Sequence, residues 1–357
     1  MKYVLLFLSC LLVSGSQGFS QSVKYSNEFL NIGVGARAQG LSKATVASNS
    51  DVSSGFWNPA GLTRIEGDMQ IGLMHAEYFA GIANFDYGAI SRKIDDKSAI
   101  AFTMIRFGVD DIPNTTQLIS AEGNINYDRV TGFSAADYAF LVSYGRELSI
   151  EGLSVGANAK VVRRVVGDFA NSWGFGVDVG AQYQIDNFGF GLMVKDITTT
   201  FNAWQFSLDS ATRATFNQTG NEIPQNSLEI TLPQVVAGVN YSATINDKFG
   251  VMAEADLFIT TDGPRNVLIS YTNNPISIDP AIGLELDYAK IIYLRGGFGN
   301  FQEVKLLGGG EEMTFQPNFG LGLQINRFSI DYALTDVGDQ SDALFSHIFS
   351  LRLDINK

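Results

Sequence analysis

Cysteine is nearly missing from this chain: of 357 residues only Cys10 is one, and it lies inside an N-terminal apolar run. The expectation is that Cys10 leaves with that run, so the mature chain has no disulfide and no thiol-based metal or redox site. Basic residues are scarce as well, 24 Lys and Arg against 37 Asp and Glu, a formal net charge of −13. That excludes the basic stripe needed to neutralise phosphates, so nucleic acid is not an expected partner. There are two histidines, His75 and His347, and no HExxH or EF-hand pattern; each is read as structural or lumenal, and no metal site is expected. No Gly-x-Ser-x-Gly elbow accompanies them. Gly33-Val34-Gly35 opens like a dinucleotide fingerprint but lacks the third glycine. The chain is therefore not expected to be an enzyme or to hold a cofactor. Finally, no apolar stretch beyond the N-terminus is long enough to span a bilayer as a helix.

What is present begins with an export signal. Lys2 is followed by the apolar run Val4 to Val13 and by the small residues Ser14, Gly15, Ser16 and Gly18. This is the order of a secretory signal peptide. Residues 1–20 are assigned to it, with cleavage between Gln17 and Gln21, and the Sec pathway is the expected route. Beyond it the dominant signal is alternation with a period of two. Phe349, Leu351, Leu353 and Ile355 alternate with Ser350, Arg352 and Asp354; Ile282, Leu284, Leu286 and Tyr288 alternate with Gly283, Glu285 and Asp287. Fourteen strands are read, near 68–78, 82–93, 98–108, 136–148, 153–166, 172–185, 187–196, 231–243, 248–260, 278–289, 291–299, 315–326, 327–335 and 343–355. Links after even-numbered strands are short. Those after odd-numbered strands are mostly long (109–135, 197–230, 300–314, 336–342). Such asymmetry is expected of an outer-membrane barrel and not of a soluble sandwich. The fold class is all-β: a transmembrane antiparallel β-barrel of 14 strands spanning 68–357, placed in the outer membrane.

Two segments fall outside the strands. Residues 21–67 are rich in small residues and are read as a plug inside the lumen. The loop 197–230 carries Phe201, Trp204 and Phe206, candidates for a partner-binding site because aromatic anchors dominate many interfaces. The pairs Glu254/Asp256 and Glu285/Asp287 are each spaced to share a strand face. They are read as lining a wet lumen, offset there by Arg106, Arg163 and Arg352, rather than as an acid/base pair.

The string Trp57-Asn58-Pro59-Ala60-Gly61-Leu62 is the most specific feature. Asn58 is held extended by the following proline, Pro59 fixes φ, and Gly61 is free to take unusual backbone angles. The string predicts a rigid turn that packs a plug or shapes a gate. With the upstream Gly35-Ala36-Arg37-Ala38-Gln39-Gly40-Leu41, it resembles the PorV/PorQ family of the type IX secretion system. That family is itself similar to the FadL transporters of hydrophobic compounds. The resemblance implies a barrel that binds secreted cargo through C-terminal signal domains and passes it to the surface-attachment machinery, in company with the translocon. The alternative it implies is a FadL-like channel for small hydrophobic compounds.

Overall fold

The computed structural model describes residues 26–119, 123–270, 275–305, 309–335 and 345–356. Residues 1–20, read above as a signal peptide, Cys10 among them, and the link 336–342 lie outside the described residues.

A 17-stranded antiparallel sheet runs through the chain. The strands are β1 (Met69–Tyr78), β2 (Ala83–Asp95), β3 (Ser98–Asn114), β4 (Thr131–Glu147), β5 (Leu153–Val166), β6 (Ala170–Ile185), β7 (Phe188–Lys195), β8 (Thr200–Phe206), β9 (Ser227–Thr231), β10 (Gln234–Asn246), β11 (Phe249–Thr260), β12 (Ile269–Ser270), β13 (Ser277–Tyr288), β14 (Ile292–Lys305), β15 (Glu311–Ile325), β16 (Phe328–Thr335) and β17 (Ser346–Ile355). Fourteen of them close a ring. β1 to β7 follow in order, and β7 pairs with β10, β10 with β11 and β11 with β13. β13 to β17 continue in order, and β17 returns to β1, with Leu351 opposite Leu73. The remaining three, β8, β9 and β12, extend the wall at the long-loop end.

The burial pattern decides what surrounds this ring. Leu73, Phe102, Val142, Phe175, Leu192, Leu284, Leu294, Leu321 and Ile330 are exposed. Their alternate neighbours, such as Gln70, Thr103, Ser143, Asn158, Asp178 and Gln182, are buried. A soluble sandwich buries its apolar face. Here that face points outward and the polar face inward, which is stable only where the surroundings are hydrocarbon and every strand edge is paired.

Strand positions follow the alternation, but four ends do not. β3 and β4 stay paired out to Asn114 and Thr131, past an irregularity between Val109 and Ile112 where Asp111 has φ 56°. β14 and β15 likewise reach Lys305 and Glu311. Both ends of the link 109–135, and most of the link 300–314, are thus paired strand. These extensions stand beyond the apolar band. No lipid enforces an apolar face there, so the regular alternation that marks a membrane strand is absent from them. The link 197–230 holds the β8–β9 hairpin and a helix, Ser210–Gln218, started by Asp209, whose carboxylate accepts from the Thr212 amide at 2.6 Å.

Candidate functional site

Residues 26–67 lie inside the ring. They touch inward-facing groups of strands all the way round it: Ser350 on β17, Met74 on β1, Ser143 on β4, Gln182 on β6, Asp256 on β11 and Glu285 on β13. Two short helices, α1 (Ala36–Gly40) and α2 (Ser54–Trp57), and two 3-10 helices (Glu28–Asn31 and Pro59–Arg64) give this inner segment what regular structure it has. Between them, residues 45–49 are irregular yet buried. Buried backbone without a ladder must find its hydrogen bonds elsewhere. Asp256 accepts from the amides of Thr45 and Val46 at 2.8 and 3.0 Å, and Glu254 from those of Ala47 and Ser48 at 2.7 and 3.3 Å. Gln182 donates to the carbonyls of Val46 and Asn49, and Gln184 to that of Ala47. The Glu254/Asp256 pair therefore does not line a wet lumen. At 2 % and 1 % exposure it is the acceptor rail for the inner segment's backbone.

The Trp57–Gly61 string is the pivot of this packing. Asn58 is extended, at φ −161°, ψ 104°, and wholly buried. Its side-chain amide donates to Val46 O and to Ala181 O, both at 3.0 Å, and its oxygen accepts from the Ala60 amide at 3.3 Å. One residue thus ties the inner segment to itself and to β6. Pro59 opens the 3-10 helix at a position where a missing N–H is harmless. Trp57 donates to Val34 O at 2.9 Å and meets Phe56 edge to face. Gly61 is needed for space rather than for an unusual φ. A Cβ there would press on Asn49 O and Ser54 Oγ.

Charge is paired across the same interface. Arg37 reaches Glu285 through two nitrogens, at 3.0 and 3.2 Å, and Arg295 joins Glu285 at 2.5 Å and Asp331 at 2.6 Å. Asp287, by contrast, stands at the turn and accepts from the Lys290 amide. Arg352 contacts Asp51 at 3.1 Å. Burial by itself would raise the Asp51 carboxyl, but Arg352, the Ser53 hydrogen bonds and Arg37 outweigh it and hold it below the ordinary carboxylate range. A depressed folded-state value stabilises above the unfolded value of about 4 and is lost as pH falls through the lower folded one. The inner segment is therefore expected to loosen below about pH 4. Limited proteolysis of the folded barrel against pH reads this, and Asp51→Asn should remove much of that dependence. An unchanged profile in the variant would refute the assignment.

Arg106 and Arg163 do not offset lumenal acids. They share the outward face with Phe102, Met104 and Val161. There Arg106 meets Asp86 and Asp110 at 3.5 Å each, and Arg163 lies over the Trp173 ring at 4.9 Å. His75 and His347 are also outward. His75 bonds Asp86 and His347 bonds Tyr332, both at 2.7 Å. Neither is lumenal, because each falls on the exposed phase of its strand.

A chamber of about 1130 Å³ opens at the long-loop end. Phe133, Phe169, Trp204, Phe206 and Phe216 give it an apolar lining. Trp204 and Phe206 stack at 6.1 Å. Trp204 donates to Glu229 at 2.6 Å and lies under Arg164, whose Nε reaches Asp137 at 2.8 Å. Of the three aromatics singled out in the sequence, Trp204 and Phe206 thus meet in one site. Phe201, 44 % exposed on the opposite face of β8, does not. Phe133, Phe169 and Phe216 were missed because they come from three separate links. A second basin of about 590 Å³ lies over the inner segment, lined among others by Lys43, Trp57, Lys195, Arg265 and Asp279.

The barrel fold is shared with solved hydrocarbon channels and transporters. The monoaromatic hydrocarbon channel CymD aligns over 94% of this chain and 100% of its own, with a TM-score of 0.58 at 13% identity. The toluene transporter TodX of Pseudomonas putida aligns over 90% and 98%, with a TM-score of 0.58 at 12% identity. TbuX, the toluene transporter of Ralstonia pickettii, gives 91%, 99% and 0.55 at 13%. At these identities the likeness shows the fold alone: a closed antiparallel β-barrel. No curated protein matches the sequence. The family model for the type IX secretion system protein PorV matches residues 18–203, just over half of the chain, and the chain belongs to that family.

Proposed function

We propose that this barrel binds secreted cargo proteins of the type IX system at its outer end and passes them to the cell-surface attachment machinery. The observation that carries this reading is the chamber around Trp204 and Phe206. It is large, apolar, backed by the Arg164–Glu229 pair, and located at the long-loop end, which in barrels of this class faces outward. The inner segment supports it, since its backbone is bound to the wall by carboxylates and amides rather than lining an apolar passage. A FadL-like channel for small hydrophobic compounds is the second reading. The apolar character of the same chamber favours it.

Affinity purification from the native outer membrane separates the two. Recovery of proteins carrying type IX C-terminal signal domains is expected. Trp204→Ala should cut that recovery by about tenfold or more, the loss typical of a buried aromatic anchor. Recovery of hydrophobic compounds with no protein partner would reject the first reading in favour of the second.

A further inference from the structure

Beyond the closed ring, the extension formed by β8 and β9 ends in a free edge at β9. On one side, residues Ser227 to Thr231 pair with Trp204 to Thr200 of β8. On the other side β9 pairs with no strand among the described residues. The cause lies in the strand lengths. β7 stops at Lys195, so the upper part of β6 pairs with β8 instead, Phe175 opposite Phe201. β10 starts only at Gln234. Phe175 stands ten residues up β6 from Ile185 at the short-turn end. With about 3.3 Å per residue and a tilt near 40°, that is a climb of about 25 Å, the height of the apolar band. The β8–β9 hairpin thus begins where the hydrocarbon ends, and its free edge faces an aqueous or headgroup setting.

A free edge offers a row of backbone donors and acceptors to any extended chain, and proteins usually blunt such edges with lysine, proline or a bulge. Ser227-Leu228-Glu229-Ile230-Thr231 contains none of these in its pairing, and Leu228 and Ile230 are 59 % and 43 % exposed. Residues 227–232 also border the aromatic chamber. One strip of chain therefore presents main-chain pairing and, beside it, a pocket for bulky apolar side chains. That combination is the recognition mode of strand addition, in which backbone bonds give affinity and alternate side chains give specificity. A small apolar molecule would use the chamber and gain nothing from the edge.

The geometry points to an extended polypeptide segment of a client protein as the occupant, added to β9 as the next strand with every second side chain entering the chamber. This rests on the reading that the barrel binds protein clients.

The test places the photo-crosslinker p-benzoylphenylalanine at Leu228, at Ile230 and, as a control, at Tyr127, an exposed residue of the β3–β4 link. The full-length protein is used in native membranes. The probe is the C-terminal domain of a client that copurifies with the unmodified protein. Crosslinks from 228 and 230 are expected at client residues two apart in one segment, with none from 127. Leu228→Lys combined with Ile230→Lys should lower client recovery at least tenfold while the barrel still assembles, since both side chains are exposed. If the client copurifies but the crosslinks scatter, or fall on a second copy of this chain, strand addition is overturned and client binding stands. If no client copurifies at all, both readings fall.

Discussion

Replacing Glu285 by alanine is expected to lower the unfolding free energy of the barrel by about 3–5 kcal/mol, the usual loss when one partner of a buried ion pair is removed. Glu285 is shared by two guanidinium groups that come from different parts of the chain. Arg37 belongs to α1 of the inner segment and grips both carboxylate oxygens; Arg295 belongs to β14 and is 3 % exposed at its side chain. After the substitution Arg295 keeps Asp331 at 2.6 Å. Arg37 loses its two-point contact, and two cations face each other across the space the carboxylate filled. Guanidinium titration of barrels folded into vesicles measures the change. Glu285→Gln, which keeps an acceptor oxygen but no charge, should fall between the variant and the unmodified protein. Combining Glu285→Ala with Arg37→Ala should recover part of the loss, because the uncompensated charge goes with it. A loss below about 1 kcal/mol for the single variant would mean that water screens the site and that the ion pair holds little.

The ring was largely legible in the sequence because lipid enforces it. One strand face must be apolar through the whole band, so Phe349-Leu351-Leu353-Ile355 or Ile282-Leu284-Leu286-Tyr288 can be read directly, and strand order follows from turn lengths. Where that enforcement stops, so does the signal. The pairing of residues 109–114 with 131–135, the β8–β9 hairpin and the helix Ser210–Gln218 all lie outside the band and escaped notice. The site was legible only in part, for a different reason. Alternation shows that Asp256 points inward, but not that it meets the amides of Thr45 and Val46 some 210 residues earlier in the chain. Arg106 and Arg163 were misplaced because an arginine on the outward phase near the outer interface looks, in sequence, like a lumenal one. Asn58 carried a strong local signal through Pro59. What that signal could not contain was the carbonyl of Ala181 to which it is tied.

Gly156→Leu is expected to open an ion path through the barrel while leaving the ring intact. Gly145 and Gly156 stand opposite each other on β4 and β5 and form a flat floor beneath Pro59. A Cβ at 156 would meet the Pro59 carbonyl carbon, with Ala60 N at 2.6 Å and Pro59 Cβ at 2.8 Å. These are backbone and ring atoms, so no side-chain rotation relieves the clash, and either the strand or the inner segment must move. The strand is bound along both edges, to β4 and to β6, whereas the Pro59–Arg64 turn rests on the wall through a few side-chain bonds. The inner segment should therefore lift, carrying Asn58 off Ala181. Current through planar bilayers is expected to rise at least tenfold over the unmodified protein. Gly296→Leu, where nothing lies within 4 Å of the added carbon, should leave it unchanged. A folded Gly156→Leu barrel with the current of the unmodified protein would show that the wall yields before the inner segment does, and that residues 26–67 are held more firmly than their hydrogen bonds indicate.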